Sequence, residues 1–200
     1  METRSAIIPV DIQQGFLDET AWGGARNNPA FEKNIERLFQ AARAAGIRII
    51  HVKHNSTSSQ SPLRKGQPGN EFFPVAMPQD DEPVIEKSVN SGFIGTDLEA
   101  TLHDAGITNV YIFGLTTDQC VSTTTRMAGN LGFTVRIIDD ACATFPKALP
   151  NGELIDAETV HKVNLASLHN EFAEVVTTQA AVRELSKMIA SEGLSQMVAE

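Results

Sequence analysis

The stretch Asn109-Val-Tyr-Ile-Phe-Gly-Leu-Thr-Thr-Asp-Gln-Cys-Val-Ser-Thr-Thr-Thr-Arg-Met-Ala128 decides the fold. Its apolar run, Val110 to Phe113, has the length and composition of a buried strand. Gly114 breaks that run. A few polar residues later Cys120 opens a helical segment that ends near Gly129 and Gly132. A thiol at a strand-to-helix turn meets unpaired backbone N–H groups and the positive end of the helix dipole, which favour the thiolate and lower its pKa. The same N–H groups can stabilise an oxyanion that forms beside the sulfur. A free cysteine taken alone is more often a small buried hydrophobe, so its neighbours in the chain decide between the two readings.

Outward from this stretch, short β-branched runs alternate with helical patterns. Ala6–Val10 reads as a first strand, with Pro9 implying that one N–H is not needed in the ladder. A helix follows from Pro29 to about Ala45, with Asn28 as N-cap and Phe31, Ile35, Leu38, Phe39 and Ala42 on one face. Gly46 closes it as a left-handed C-cap. Ile47–Val52 is a second strand, and Pro83–Glu86 a short further one. Thr96-Asp-Leu-Glu99 has the form of a capping box for a helix from Asp97 to about Asp104. Phe133–Ile138 is another strand, and a helix over Ala157–Leu168 leads to a short strand near Val175. A last helix places Val182, Leu185 and Ile189 on one side, and Ser191–Glu200 forms a weakly patterned tail. This alternation predicts an α/β fold with a parallel sheet covered by helices on both faces and its site at the carboxyl ends of the strands.

The 200 residues suit one domain, taken here as 1–200, and a 42% hydrophobic content is ordinary for a globular protein. A net charge of −9, with no cluster of Lys or Arg, argues against nucleic-acid binding. No apolar stretch approaches the length of a membrane span, and no signal-peptide pattern precedes the first strand. Cys120 and Cys142 make no disulfide framework, so both are expected reduced in a cytoplasmic protein. Residues 55–81, rich in Ser, Gln and Pro, depart from the periodic pattern. A loop of that length is expected to be a lid or substrate loop, with a solvated excursion as the alternative.

Polar residues that follow strands form a short set. Asp11 follows the first strand, His54 the second, Lys87 the run Pro83–Glu86, Cys120 the turn after Phe113, and Asp139 and Asp140 the run ending at Ile138. In a parallel sheet these ends converge on one edge. A cysteine nucleophile needs a base for its proton and later an acid for the leaving group. Asp11 can serve as that base, and a Lys87 ammonium steadies both Asp11 and a developing negative charge.

At this point the chain resembles the isochorismatase-like cysteine hydrolases, a group that includes nicotinamidases, ureidoacrylate and N-carbamoyl amidohydrolases, and isochorismatase. The likeness runs over roughly residues 5–180. It rests on Val10-Asp-Ile-Gln-Gln-Gly-Phe16, Glu86-Lys-Ser-Val-Asn-Ser-Gly-Phe93 with Gly95-Thr-Asp-Leu98, Gly114-Leu-Thr-Thr-Asp-Gln-Cys-Val121, and Asp139-Asp-Ala-Cys-Ala143. Each pattern is weak alone, and together, in order, they are specific. The resemblance implies a doubly wound, Rossmann-like sheet of about six strands and a catalytic triad of Asp11, Lys87 and Cys120. It also implies a non-proline cis peptide between Leu115 and Thr116, with the Thr116 and Cys120 N–H groups as oxyanion hole. Homo-oligomers, dimers or tetramers, are common in the family.

One departure bears on metals. Nicotinamidases of this family carry a metal held in part by an Asp-x-His pair after the second strand, where this chain has His54-Asn-Ser56. No metal and no cofactor is expected. His51 should face the sheet interior or a covering helix, on a different side from Val52, and His54 reads as a pocket-lining hydrogen-bond donor or a structural histidine. Phe16, Trp22 and Phe93 are candidate substrate-binding walls, with ordinary core packing as the alternative for each. Cys142 reads as a buried structural thiol. The function that fits is a cysteine hydrolase cleaving a C–N bond of a small amide, carbamoyl or lactam substrate through a thioester. The alternatives are an isochorismatase-type vinyl-ether hydrolase and a non-catalytic interaction member of the fold.

Overall fold

The computed structural model describes the backbone of residues 4–198 and side chains as far as Met188, so Ile189 and most of the tail lie outside the described side chains. The strands are β1 (Arg4–Val10), β2 (Arg48–Ile49), β3 (His51–His54), β4 (Val84–Lys87), β5 (Ile107–Leu115), β6 (Thr134–Ala143), β7 (Lys147–Ala148), β8 (Leu154–Ile155) and β9 (Glu174–Val176). The helices are α1 (Phe31–Ala44), α2 (Leu98–Asp104), α3 (Ser122–Asn130), α4 (Ala157–Leu168) and α5 (Thr178–Val198). The main sheet runs β4-β3-β1-β5-β6-β9, with β2 beside β1, and every pairing in it is parallel. α1 packs with α5, and α3 packs with α4. This is the doubly wound α/β sheet expected from the alternation of strands and helices.

Local chemistry explains where the elements begin and end. Ile50.N donates to Ile7.O and Asp11.N to Val52.O, so the register aims the position of Pro9 at the Ile50 carbonyl. Proline has no proton to give there. The second strand is therefore split into β2 and β3 at Ile50, and the ladder lacks one bond at Pro9, as its place in the strand implies. Asn28 departs from its expected role as cap. It adopts φ 52, and its amide donates to the carbonyls of Asp139 and Cys142, so α1 starts only at Phe31. The capping box at Thr96 does not form either. Its hydroxyl turns back to the Gly92 carbonyl, and α2 starts at Leu98.

β6 outruns its expected end at Ile138. Pairing with β5 jumps from Ile112↔Ile137 to Gly114↔Cys142, which leaves Asp139 and Asp140 in a bulge. Asp140 Oδ1 accepts from the N–H and hydroxyl of Thr178 at 2.6 and 2.8 Å and so anchors the start of α5. The segment 55–81 is not a solvated excursion. Leu63, Asn70, Phe72, Phe73 and Ala76 are buried, and Gln14.N→Glu71.O (2.8 Å) and Phe73.N→Ile12.O (3.0 Å) fasten it to the residues after β1. No helix among the described residues is long and apolar enough to cross a membrane.

His51 faces α1, as the strand alternation requires. It stacks on Phe39 at 5.5 Å, and its Nε2 lies 2.9 Å from Glu82. Burial favours the neutral acid of Glu82. The Arg43 guanidinium, the Gln79 N–H and His51 more than offset this, holding the carboxyl down to about 2 from 4.5. A carboxylate depressed on folding stabilises the protein above its ordinary pKa and loses that contribution as pH falls toward the folded value. The Arg43 partner of Glu82 is partly exposed, so solvent screens part of the attraction. Glu82→Ala should therefore cost about 1–2 kcal/mol at neutral pH. Urea unfolding should show this difference shrinking as pH falls from about 4.5 toward about 2, and a pH-independent difference would contradict the ion-pair origin.

Candidate active site

The strand order reverses between β1 and β5, so the connections leaving these neighbouring strands go to opposite sides and open a crevice at their carboxyl ends. Gly114 makes the close approach possible. It has φ 131, and a Cβ there would land on the Val10 carbonyl. Two groups emerge into the crevice. Asp11, fully buried, follows β1 with φ 51, a left-handed conformation that non-glycine residues seldom adopt outside special sites. Cys120 follows β5 in a π-helical turn, Thr117–Val121, that leads into α3.

β4 delivers the third group. Lys87 is its last residue and pairs directly across from His54 on β3, so the two side chains share a face. Lys87 Nζ donates to Asp11 Oδ2 at 2.6 Å, and neither side chain has exposed surface. Nζ also lies 3.1 Å from His54 Nδ1. Burial, then the Lys87 ammonium, lowers the His54 pKa below 6.5, so the ring stays neutral at pH 7 and can accept that proton donor. Asp11 Oδ1 is buried and has no hydrogen-bond partner among the described residues. One donor atom each of Asp11, His54 and Cys120 lies within 4.8 Å of the others.

The thiol is not depressed, as the helix dipole led us to expect. Burial, with Cys120 only 8% exposed, and then the adjacent Asp11 carboxylate push its pKa well above 9.0, and the Lys87 ammonium does not offset them. The resting side chain is a neutral thiol beside a carboxylate. Thr116 is 1% exposed, and the Leu115–Thr116 peptide is cis. Cys142 is fully buried in β6, opposite Gly114, and burial raises its thiol as well.

The aromatic candidates divide. Phe16 and Trp22 stack at 4.6 Å and are joined by Phe145 at 6.1 and 5.8 Å, and Trp22 Nε1 donates to the Gly15 carbonyl at 2.8 Å. Trp22 is half-buried, while Phe16 and Phe145 are buried. Phe93 does not join the cluster around Cys120. Its ring stacks on Phe133 at 6.1 Å, next to the start of β6 and so toward the amino-terminal edge of the sheet. The chain descends after Asn90 to pack against α3, where Gly92.N donates to Thr124 Oγ1.

Three further residues build the site and were not singled out in the sequence. Asn90 places Oδ1 4.0 Å from Cys120 Sγ. Gln13, fully buried, donates to the carbonyls of His54 and Asn70 and accepts from the His54 N–H at 2.8 Å. Asn70 donates to the carbonyls of His54 and Leu63. Gln13 and Asn70 together fix the end of β3, and hence His54, to the 55–81 segment. A buried glutamine two residues after a strand-end aspartate was the available clue.

Asp11, His54 and Cys120 offer the atom types of a metal site. They do not fit a resident divalent cation, because the Lys87 ammonium already sits 2.6 Å from Asp11 and 3.1 Å from His54. Two like charges in one buried cluster repel strongly. His51, bound to Glu82 on the other face of β3, is no candidate ligand.

Known proteins place this arrangement in context. A family model described as the isochorismatase domain matches residues 5–180. The chain is 43% identical over 187 residues to the isochorismatase family protein YrdC of Bacillus subtilis, covering 94% of this chain and 99% of that one. It is 31% identical over 173 residues to the ureidoacrylate amidohydrolase RutB of Acinetobacter baylyi, covering 70% of each. The crystal structure of an isochorismatase-family hydrolase from Chromobacterium violaceum matches with a TM-score of 0.87 at 38% identity, over 94% of this chain and 95% of that one. The chain belongs to the isochorismatase family of hydrolases, whose members include amidohydrolases.

Proposed function

We propose that this chain hydrolyses the C–N bond of a small amide, carbamoyl or lactam substrate, with Cys120 as nucleophile and a thioester intermediate. The unpartnered Oδ1 of Asp11 carries this reading. Lys87 occupies Oδ2 and leaves Oδ1 without a partner among the described residues, and a carboxylate oxygen of Asp11 lies within 4.8 Å of the Cys120 sulfur. Because Cys120 rests protonated, attack and deprotonation go together: Sγ bonds to the carbonyl carbon as its proton passes to Asp11. The negative charge on the carbonyl oxygen is held by the Thr116 and Cys120 N–H groups. Asp11 returns the proton to the leaving nitrogen, the C–N bond breaks, and a thioester remains. Water, deprotonated by the same carboxylate, then adds to the thioester, and Cys120 leaves with the proton restored.

Lys87 donates to Asp11 Oδ2 and so fixes its rotamer, and neutral His54 steadies Lys87 from the other side. The Phe16–Trp22–Phe145 group is mostly core, and of the three only Trp22 is exposed enough to meet a small substrate. The relationship to an enzyme named as a ureidoacrylate amidohydrolase supports the amide class.

Two measurements test this. A screen of small amides and carbamoyl compounds should find one from which the protein releases ammonia or an amine, and Cys120→Ala should lower that rate by at least about 10³-fold. Activity surviving in Cys120→Ala would favour vinyl-ether chemistry run by Asp11 and Lys87 without the thiol. In Asp11→Asn the carboxylate that raises the thiol pKa is gone while Lys87 remains. Iodoacetamide alkylation of Cys120 should then set in at lower pH than in the unmodified protein, although amide hydrolysis is lost. An unchanged alkylation profile would remove Asp11 from the thiol's surroundings.

A further inference from the structure

A second hydrogen-bonded chain reaches the nucleophile turn from outside, and the chemistry above does not use it. Thr117, the first residue of the π turn, is fully buried, and its Oγ1 lies 2.8 Å from His161 Nδ1. His161, on α4 and 2% exposed, has its Nε2 2.8 Å from Asp139 Oδ1. The Asp139 side chain stands in the β6 bulge and is 44% exposed. The order carboxylate, imidazole, hydroxyl is that of a nucleophile triad. Thr117 has no exposed surface, however, so its hydroxyl cannot meet a substrate.

Its place in the turn suggests another role. The Thr116 carbonyl accepts from Gln119.N (3.1 Å) and Val121.N (3.2 Å), and the Thr117 carbonyl accepts from Ser122.N, so the turn folds about these two residues. Backbone bonds set its internal shape but not its tilt relative to the sheet. Side chains supply that. Thr117 is tied to α4 through His161, and Asp118 is tied to the Thr144 hydroxyl and to Lys147 Nζ at 3.3 Å. Where the ring donates its Nε2–H to the Asp139 carboxylate, Nδ1 is left to accept from the Thr117 O–H. One tautomer then gives one position for the turn.

We propose that Asp139, His161 and Thr117 form a positioning relay that holds the Thr116 and Cys120 N–H groups where an oxyanion forms. The relay rests on the acyl-transfer reading only in that this turn supplies the oxyanion donors. Misplacing such donors by about an ångström costs on the order of 10- to 100-fold in rate. Thr117→Val keeps the shape and removes the hydroxyl.

Two reagents that attack the same sulfur separate positioning from general support. Acylation by p-nitrophenyl acetate forms the Sγ–acyl bond through an oxyanion, with nitrophenolate leaving and the thiol proton passing to Asp11. Alkylation by iodoacetamide displaces iodide and forms no oxyanion. With Cys120→Ala as blank, Thr117→Val should acylate about 10- to 100-fold more slowly while alkylating within about twofold of the unmodified protein. Thr117→Ser should restore acylation, and Asp139→Ala, at the solvent end, should show the same selective loss to a smaller extent. A double variant of Thr117→Val with Asp139→Ala should lose no more than Thr117→Val alone. Equal loss of both reactions would show a merely structural role, and unchanged acylation in Thr117→Val would remove the relay altogether. Neither reagent depends on the native substrate, so failure of the amide screen and failure of the relay are distinguishable.

Discussion

The buried ion pair between Lys87 and Asp11 is the interaction on which the rest of the site depends. An isolated carboxylate taken fully out of water would take up a proton and could no longer act as a base. An isolated buried ammonium would give one up. Paired at 2.6 Å with neither side chain exposed, each offsets the other's burial. The pair also uses one carboxylate oxygen and leaves the other without a hydrogen-bond partner among the described residues. Burial, and then the neighbouring Asp11, push the Cys120 thiol toward its neutral form, so at rest the proton stays on sulfur. This resting state suits a reaction in which a standing thiolate would be exposed to oxidation or stray alkylation between turnovers.

The fold brings this pair together from distant parts of the chain. Asp11 and Lys87 are 76 residues apart in sequence and meet because β1, β3 and β4 are adjacent parallel strands that all end at one edge. Cys120 arrives through β5, on the other side of the reversal in strand order. Gly114 lets the two central strands approach there without a side chain between them. Around this crevice, asparagine and glutamine side chains do the joining. Asn28 holds the β6 bulge, while Gln13 and Asn70 hold the end of β3 to the 55–81 segment. Amides can donate and accept at once, which suits them to tie irregular backbone where no ladder runs.

Much of this was legible from residue order. Strand-end Asp11, Lys87 and Cys120 needed only the rule that parallel strands finish on one edge, and His51 facing α1 needed only strand alternation. Positions with two competing hydrogen-bonding outlets were not legible. Asn28 reads as a helix cap, yet the β6 carbonyls claim its amide, and the bulge creating those acceptors appears only once β5 and β6 pair. The Thr96 hydroxyl likewise donates to the Gly92 carbonyl and accepts from the Leu98 N–H, with no bond to the Glu99 N–H that a capping box needs. Phe93 sits in a family-like motif beside Lys87, but the chain drops toward α3 directly after Asn90 and carries the ring to Phe133. The direction of the Cys120 shift failed for a related reason. A helix N-terminus is visible in sequence, whereas the depth of burial and the distance to Asp11 belong to the folded state.

The central claim is that the resting nucleophile is a neutral thiol whose base is the Lys87-held Asp11. Thiolate absorbs in the near ultraviolet and thiol does not, so the difference spectrum between the unmodified protein and Cys120→Ala, followed against pH, reads the ionisation of this one sulfur. Little or no thiolate signal from neutral pH up through the ordinary thiol pKa of 9.0 is the result expected. A full thiolate signal already present at neutral pH would contradict it.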